Sequence, residues 1–233
     1  MLVSQSVELP GGELHILQPE EAAELPHDGA VEWAPIAPYW AVLWRSGVAL
    51  ARELEGEELG ERSGARAHRA LAERSSARAH RALADLRVVE LGCGLAVPSI
   101  AAARAGASVL ATDVSPEALV LAKRNARENG VRIETAAIDW ADPGAAAGPA
   151  PAAVRLAGRD RFDLVVAADV LYERSAVAPL LSLLPRLAPE AWLADPGRPA
   201  AGAFLEQASR RWPVDTRVRG VVRIHRLRFS SPP

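Results

Sequence analysis

From residue 87 onward, short apolar runs alternate with longer stretches of helical character. Arg87–Leu91, Ser108–Thr112, Val131–Ile138, Phe162–Ala168 and Ala191–Ala194 are the apolar runs. Residues 96–105, 116–129, 174–187 and 200–211 separate or follow them with helix-like patterning. The resulting order, β-α-β-α-β-loop-β-α-β-α, predicts a doubly wound α/β fold with a mainly parallel sheet. An Ala/Gly/Pro-rich stretch at 141–158 reads as a loop or insertion. Thr216–Phe229 reads as further strand structure at the C-terminus.

The first 86 residues are patterned differently. Val3, Val7 and Leu9 precede Pro10-Gly11-Gly12, and Leu14-His15-Ile16-Leu17 follow, which predicts a hairpin over residues 1–18. Residues 19–38 look irregular. From Tyr39 the spacing of Trp40, Leu43, Trp44, Val48 and Leu54 suits an amphipathic helix. Then Glu61–Ala72 (ERSGARAHRALA) repeats almost unchanged as Glu73–Ala84 (ERSSARAHRALA). Two copies are too few for a solenoid, and the residue types favour helix. A duplicated connector is expected, with His68 and His80 as equivalents and no metal between them. The expected organisation is therefore 1–55 as hairpin and helix, 56–86 as connector, and 87–233 as a ligand-binding core.

Composition narrows the class. With 233 residues, 49% hydrophobic and 24% charged, the chain suits one domain with a substantial core. No run approaches the length of a membrane helix; Leu95–Ala103 is stopped by Arg104. The start of the chain lacks the pattern of a secretory signal. A single cysteine excludes a disulfide framework and a Cys-based zinc site. A cytoplasmic monomer, acting away from membranes, is the expectation. Alanine makes up about a fifth of the chain and Lys123 is the one lysine, a compositional bias that says little about mechanism. The net charge of -2 argues against a dedicated nucleic-acid binder, yet it conceals an asymmetry. Residues 204–233 carry seven arginines against Glu206 and Asp215, so a basic tail follows an acidic body. That tail reads as a solvated edge or as a dock for an acidic protein.

The first crossover holds the candidate chemistry. Val88-Val89-Glu90-Leu91-Gly92-Cys93-Gly94 leads from strand to helix, and Gly92 and Gly94 allow a tight turn and close ligand approach. Asp113 ends the next strand about twenty residues on, where an acid can grip ribose hydroxyls. A third glycine near Val97 is absent, and the carboxylate of Glu90 would repel a pyrophosphate. S-adenosylmethionine (SAM) has no phosphate and carries a sulfonium and an ammonium, so an acidic cleft suits it better than it suits NAD. Glu90 capping the strand end is the competing reading. Asp139 and Trp140 close the third strand, where a carboxylate can take an adenine amino group and an indole can cover the ring, or where they form an ordinary turn. Cys93 reads as a small packed residue within the cofactor turn, not as a nucleophile.

Taken together, Glu90-Leu-Gly-Cys-Gly94, Asp113, Asp139-Trp140 and Phe162-Asp-Leu-Val-Val-Ala-Ala-Asp169-Val-Leu-Tyr172 resemble class I SAM-dependent methyltransferases. Within these, Asp169-x-x-Tyr172 is similar to the motif of the seven-β-strand protein-lysine methyltransferases. Pro38-Tyr-Trp-Ala-Val-Leu-Trp44-Arg-Ser-Gly47 and Asp195-Pro-Gly-Arg-Pro199 resemble the enzymes acting on the electron-transfer flavoprotein β-subunit, and their bacterial relatives. The chain departs from them at Arg45, where the family has proline, and in the long 56–86 connector.

The resemblance implies a Rossmann-like, seven-stranded sheet with an N-terminal hairpin and helix extension. It implies SAM as cofactor, S-adenosylhomocysteine (SAH) as product, and a protein substrate. Asp169 and Tyr172 would be the catalytic pair; Trp44, Glu90, Gly92, Cys93, Gly94, Asp113, Val114, Asp139, Trp140 and Ala168 would bind the cofactor. Asp169 would recruit and orient an amine, because a carboxylate favours the ammonium and makes a poor base for it. Read locally, Asp169 caps the following helix and Tyr172 packs; Trp44 is cofactor cover or core; Arg198 holds a substrate carboxylate or is a solvated turn arginine. The alternative functions are a nicotinamide-type small-molecule N-methyltransferase and a SAM-binding module without turnover.

Overall fold

A computed structural model describes residues 1–23, 38–64, 83–140 and 162–229, with side chains left undescribed over 57–64. Most of the duplicated segment, with His68 and His80, and the 141–158 loop lie outside the described residues. The chain opens with β1 (Leu2–Leu9) and β2 (Gly12–Pro19), paired antiparallel in the predicted hairpin, and a short α1 (Glu20–Ala23). A 3₁₀ turn (Tyr39–Ala41) and α2 (Arg45–Gly64) lead to the main sheet. There follow β3 (Arg87–Leu91), α3 (Val97–Arg104), β4 (Ser108–Asp113), α4 (Pro116–Glu128), β5 (Glu134–Ala137) and β6 (Leu164–Ala168). A second 3₁₀ turn (Arg174–Ala176), α5 (Val177–Leu187), β7 (Glu190–Asp195), α6 (Pro199–Ser209), β8 (Val214–Arg219) and β9 (Val222–Arg228) complete it.

The sheet has seven strands in the order β5-β4-β3-β6-β7-β9-β8. The first five are parallel, and β9 and β8 add an antiparallel hairpin at one edge. This is the mixed α/β, doubly wound architecture that the alternation predicts. The chain winds outward from β3 to β5 and then returns to β6 on the other side of β3. That reversal leaves a crevice beyond the carboxyl ends of the central strands.

Alternation along the strands supplies two cores. Val89, Leu91, Val165 and Ala167 pack against Leu180, Leu184 and Phe204 of α5 and α6. Their neighbours Val88, Leu164 and Val166 face Leu50 and Leu54 of α2 on the opposite side. The N-terminal hairpin packs through Leu14 and Ile16 on Ile100 of α3 and Leu121 of α4. Two asparagines one helical turn apart pin it: Asn125 Oδ1 accepts the Leu17 N–H at 2.9 Å and Asn129 Oδ1 accepts the His15 N–H at 2.8 Å. Their amide groups return bonds to the Leu17 and His15 carbonyls, so α4 satisfies an otherwise open strand edge.

A short helix, α1 (Glu20–Ala23), falls in a stretch that reads as irregular, and two longer elements have shifted boundaries. The strand expected over Val131–Ile138 is confined to Glu134–Ala137. Gly130, at φ +72°, turns the chain, and the Val131 N–H bonds to the Ala126 carbonyl, so these residues close α4. The helix expected from Tyr39 begins at Arg45, because Val42 is extended (φ -87°, ψ 136°) and breaks the helical path after the 3₁₀ turn.

Candidate active site

A cavity of about 730 Å³ opens at the crevice beyond β3, β4 and β6. It gathers Trp44, Glu90, Gly92, Cys93, Gly94, Asp113, Val114, Asp139, Trp140, Ala168, Asp169 and Tyr172, residues spread over 129 positions of sequence. Backbone conformation explains the close assembly. Gly92 and Gly94 turn the chain after β3 at φ +63° and +48°. Asp113, at the end of β4, fastens this turn: its Oδ2 accepts the Gly94 N–H at 2.9 Å and its Oδ1 accepts the Ser115 N–H at 3.0 Å. Each oxygen keeps acceptor capacity for a ligand hydroxyl.

Glu90 faces the same cavity but is 1% exposed. Its Oε2 accepts the Ser99 N–H at 2.9 Å and a very short bond from the Ser99 hydroxyl. Burial, against the opposing Ser99 bonds and with help from Asp113, pushes its pKa up to about 8. At neutral pH Glu90 is therefore mainly an uncharged acid serving the first turn of α3. The negative field expected from it is carried instead by Asp113, Asp139, Asp169 and Glu173. Burial, with the charge Glu90 gains once it ionises and that of Asp113, holds the Cys93 thiol well above its ordinary range, so it is no nucleophile at neutral pH.

Asp169 follows β6 in a left-handed conformation, φ 57°. Aspartate is one of the few residues that tolerate this region, at a cost of about 1–2 kcal/mol. The turn directs its carboxylate into the cavity and away from the next helical turn, whose N-cap residue is Glu173. Burial raises the Asp169 pKa first, and Asp195 adds to it; a Ser46 hydrogen bond and the Arg198 charge oppose them. Arg198 approaches Asp169 Oδ1 at 3.4 Å through Nε and Nη2. Tyr172 is 59% exposed at the rim instead of packed. Partial burial and the charges of Glu173, Asp113 and Asp139 raise its pKa, so the phenol remains a donor at neutral pH.

The remaining aromatics form one wall. The Trp44 Nε1–H donates to the Tyr39 carbonyl at 2.9 Å, closing the segment before α2. Trp44 both lines the cavity and packs on Ala41 and Val42, so packing in the core and facing the cavity are compatible here. Trp140 is half-buried against the α5 side of the core while Asp139 beside it is exposed. Ser46 and Tyr39 were not singled out by sequence: a serine in the first turn of a helix carries no signal of a partner 123 positions away.

Donor chemistry selects what this cavity can hold. Apart from Glu90, four carboxylic acids and one arginine line it among the described residues, a balance that suits a cation and opposes a phosphate. Glycine-turn backbone, an acid at the end of β4 and aromatic walls fit a nucleoside carrying a sulfonium. The fold and this site define a SAM-dependent methyltransferase. The model of the lysine methyltransferase family matches residues 40–191, and the chain belongs to that family. An electron transfer flavoprotein beta subunit lysine methyltransferase of Danio rerio is 34% identical over 100 residues, covering 42% of this chain and 30% of that protein. This chain thus spans under a third of that relative's length.

Solved structures share the fold at low identity. A 16S rRNA N2 G1207 methyltransferase of T. Thermophilus, in complex with AdoMet and guanosine, aligns with a TM-score of 0.57 and 15% identity. The alignment covers 99% of this chain and 51% of that one. A putative RNA methyltransferase from Pyrococcus horikoshii aligns at 0.53 and 17% identity, covering 84% of this chain and 91% of that one. Family membership, together with the site's chemistry, makes S-adenosylmethionine the cofactor. No helix among the described residues is long and apolar enough to cross a membrane.

Proposed function

We propose that the protein methylates the side-chain amine of lysine in a protein substrate. The observation that carries this reading is the pair formed by Asp169 and Tyr172, with a buried carboxylate and a rim-exposed phenol facing one cavity. Family membership and the flavoprotein-directed relative support it. An exposed rim, with Tyr172 at 59% and Tyr39 at 51%, suits a side chain presented from a macromolecule.

When bound, SAM supplies an activated methyl group on a sulfonium. The chain's residues divide the rest of the work. Gly92 and Gly94 would let the backbone approach the cofactor, Asp113 would accept ribose hydroxyls, and Asp139 with Trp140 and Val114 would hold the adenine. Trp44 and Ala168 would also contact the cofactor, and Glu90 and Cys93 would shape the glycine turn that receives it. A lysine amine with pKa about 10.4 spends about 4–5 kcal/mol to be neutral at pH 7, so the site must align a scarce species. Asp169 accepts an N–H bond and orients the lone pair; Tyr172 adds a second polar contact and an aromatic wall for the alkyl stem.

The test is transfer of labelled methyl from SAM to purified electron-transfer flavoprotein β-subunit and to a desalted proteome, followed by acid hydrolysis. Methyl-lysine is expected. Label confined to small molecules, with none in protein, would refute the proposal in favour of a small-molecule N-methyltransferase.

A further inference from the structure

Arg198 is the one lysine or arginine lining the cavity among the described residues, and it stands against the acid that the proposed reaction uses. Both of its contacts to Asp169 Oδ1 measure 3.4 Å. That is longer than the roughly 2.7–2.9 Å of a tight charge-assisted bond. Its guanidinium also lies 5.8 Å from the centre of the Trp44 ring.

The location of Arg198 is set from behind. Asp195, at the end of β7, accepts the Gly197 and Arg198 N–H groups on Oδ1. Its Oδ2 meets His225 Nε2 at 2.9 Å, and His225 Nδ1 meets Thr216 Oγ1 at 2.8 Å. Asp195 and His225 are 2% and 1% exposed, so a chain of bonds buried across β7 and β9, and ending at the exposed Thr216 of β8, fixes the loop that carries Arg198. The fold thus fixes the backbone from which Arg198 extends, and the guanidinium reaches Asp169 and the Trp44 ring from there without a tight ion pair.

The consequence is electrostatic. A lone carboxylate facing an amine stabilises the ammonium, which has no lone pair to attack with. A cation behind the carboxylate cancels part of that field while the carboxylate, which also takes the Ser46 bond, keeps acceptor capacity for an N–H. The other titratable groups facing this region are Tyr172 and Glu173 after β6, Tyr39 beside Trp40, and Asp113 and Asp139 at the β4 and β5 ends. Glu90 and Cys93 lie at the glycine turn. None of these lining groups is basic; Arg223, packed against Gly197, and His225, bonded to Asp195, lie behind the loop and do not line the cavity.

We infer that Arg198 is the charge-balancing positioning residue of this site, held by Asp195 and His225 so that Asp169 binds the substrate amine in its neutral, nucleophilic form. This rests on the lysine-methylating reading. In the step it serves, the amine lone pair forms the N–C bond as the C–S bond breaks toward sulfur, and the methylated ammonium then loses its proton to water.

Wild type, R198Q and R198K are compared with purified electron-transfer flavoprotein β-subunit as the probe. In R198Q the acid-side midpoint of the kcat/KM profile is expected to rise by about one pH unit, with about tenfold lower rate near pH 7 that recovers at higher pH. R198K keeps the wild-type midpoint. A readout without turnover is the affinity ratio of SAM to SAH by calorimetry, since the sulfonium is a permanent cation that SAH lacks. That ratio should rise about threefold or more in R198Q and stay unchanged in R198K. A uniform rate loss at every pH with an unchanged affinity ratio overturns the inference and leaves the function reading standing. Wild-type enzyme that labels no lysine in the probe or in the proteome overturns the function reading, and the inference with it.

Discussion

Replacing Gly94 with alanine probes how closely the segment before α2 is seated on the cofactor turn. A Cβ added at Gly94 would lie 2.7 Å from the Trp40 carbonyl oxygen and 3.5 and 3.6 Å from the Trp40 C and Cα. These are backbone atoms, so no side-chain rotation relieves the clash. The residue also sits at φ +48°, where a non-glycine residue is strained. Gly130 provides the control, because it has φ +72° but no atom within 4 Å of an added Cβ. The conformational cost common to both is about 1 kcal/mol, and overpacking at Gly94 adds about 1–3 kcal/mol. Gly130→Ala should lower Tm by about 2–4 °C and leave SAM affinity alone. Gly94→Ala should either lower Tm by roughly 4–16 °C or, if the Trp40 segment lifts instead, weaken SAM binding by about 10- to 100-fold. Paired thermal melts and calorimetric titrations measure both. Should Gly94→Ala match Gly130→Ala in melting and in SAM affinity, the claim that Trp40 forms a fixed wall over the turn is wrong.

Three further outcomes follow from buried charge. Glu53 of α2 is 6% exposed and bonds Arg217, Arg219 and Arg226 of the C-terminal hairpin at 2.8–2.9 Å. Burial raises its pKa, but the Arg217 and Arg219 bonds and the Arg219 and Arg226 charges outweigh that and hold it below its ordinary value. Its contribution is therefore present above the ordinary carboxylate range and is lost as pH falls through the depressed pKa. Glu53→Gln should cost about 2–4 kcal/mol at pH 7 in urea unfolding and flatten the acid limb; an acid limb as steep as wild type would refute this. Glu90 behaves oppositely: with a folded pKa of about 8, it favours the native state below its unfolded value and loses that advantage as pH climbs toward 8. Wild-type stability should fall by up to about 1.4 kcal/mol per pH unit in that window. Glu90→Gln should reduce the slope, and an unchanged slope in denaturant titrations from pH 5 to 8 counts against a buried neutral Glu90. Asp169→Asn should lower kcat by roughly 10²-fold and Tyr172→Phe by roughly tenfold, with SAM affinity within about threefold of wild type. Loss of SAM binding in step with turnover would assign both residues to the cofactor and not to the substrate.

Much of the sheet was legible because its parallel strands are buried on both faces and appear as uninterrupted apolar runs. Val88-Val89 and Val165-Val166 each send neighbouring side chains into different cores, and the sequence shows this only as continuous hydrophobicity. The basic tail was legible as a strand region but not as a structural partner of α2. Arg217, Arg219 and Arg226 turn toward Glu53, more than 160 positions away, and leave less of the tail's charge for an acidic partner than its composition suggests. Asn125 and Asn129 likewise carry no local sign that they will hold a hairpin from the start of the chain.

The sequence by itself determined the order of elements, the glycine turn between an apolar run and a helix, and the acids that end successive strands. These are local properties: hydrophobic periodicity, glycine's access to positive φ, and the placement of polar residues where an apolar run stops. Only the tertiary structure decided how those acids behave. Burial beside Ser99 makes Glu90 a neutral acid, a left-handed turn aims Asp169 into the cavity, and the Asp195–His225 chain sets Arg198 behind it. Charge state and orientation depend on desolvation and on partners brought together from distant positions, which no spacing along the chain encodes.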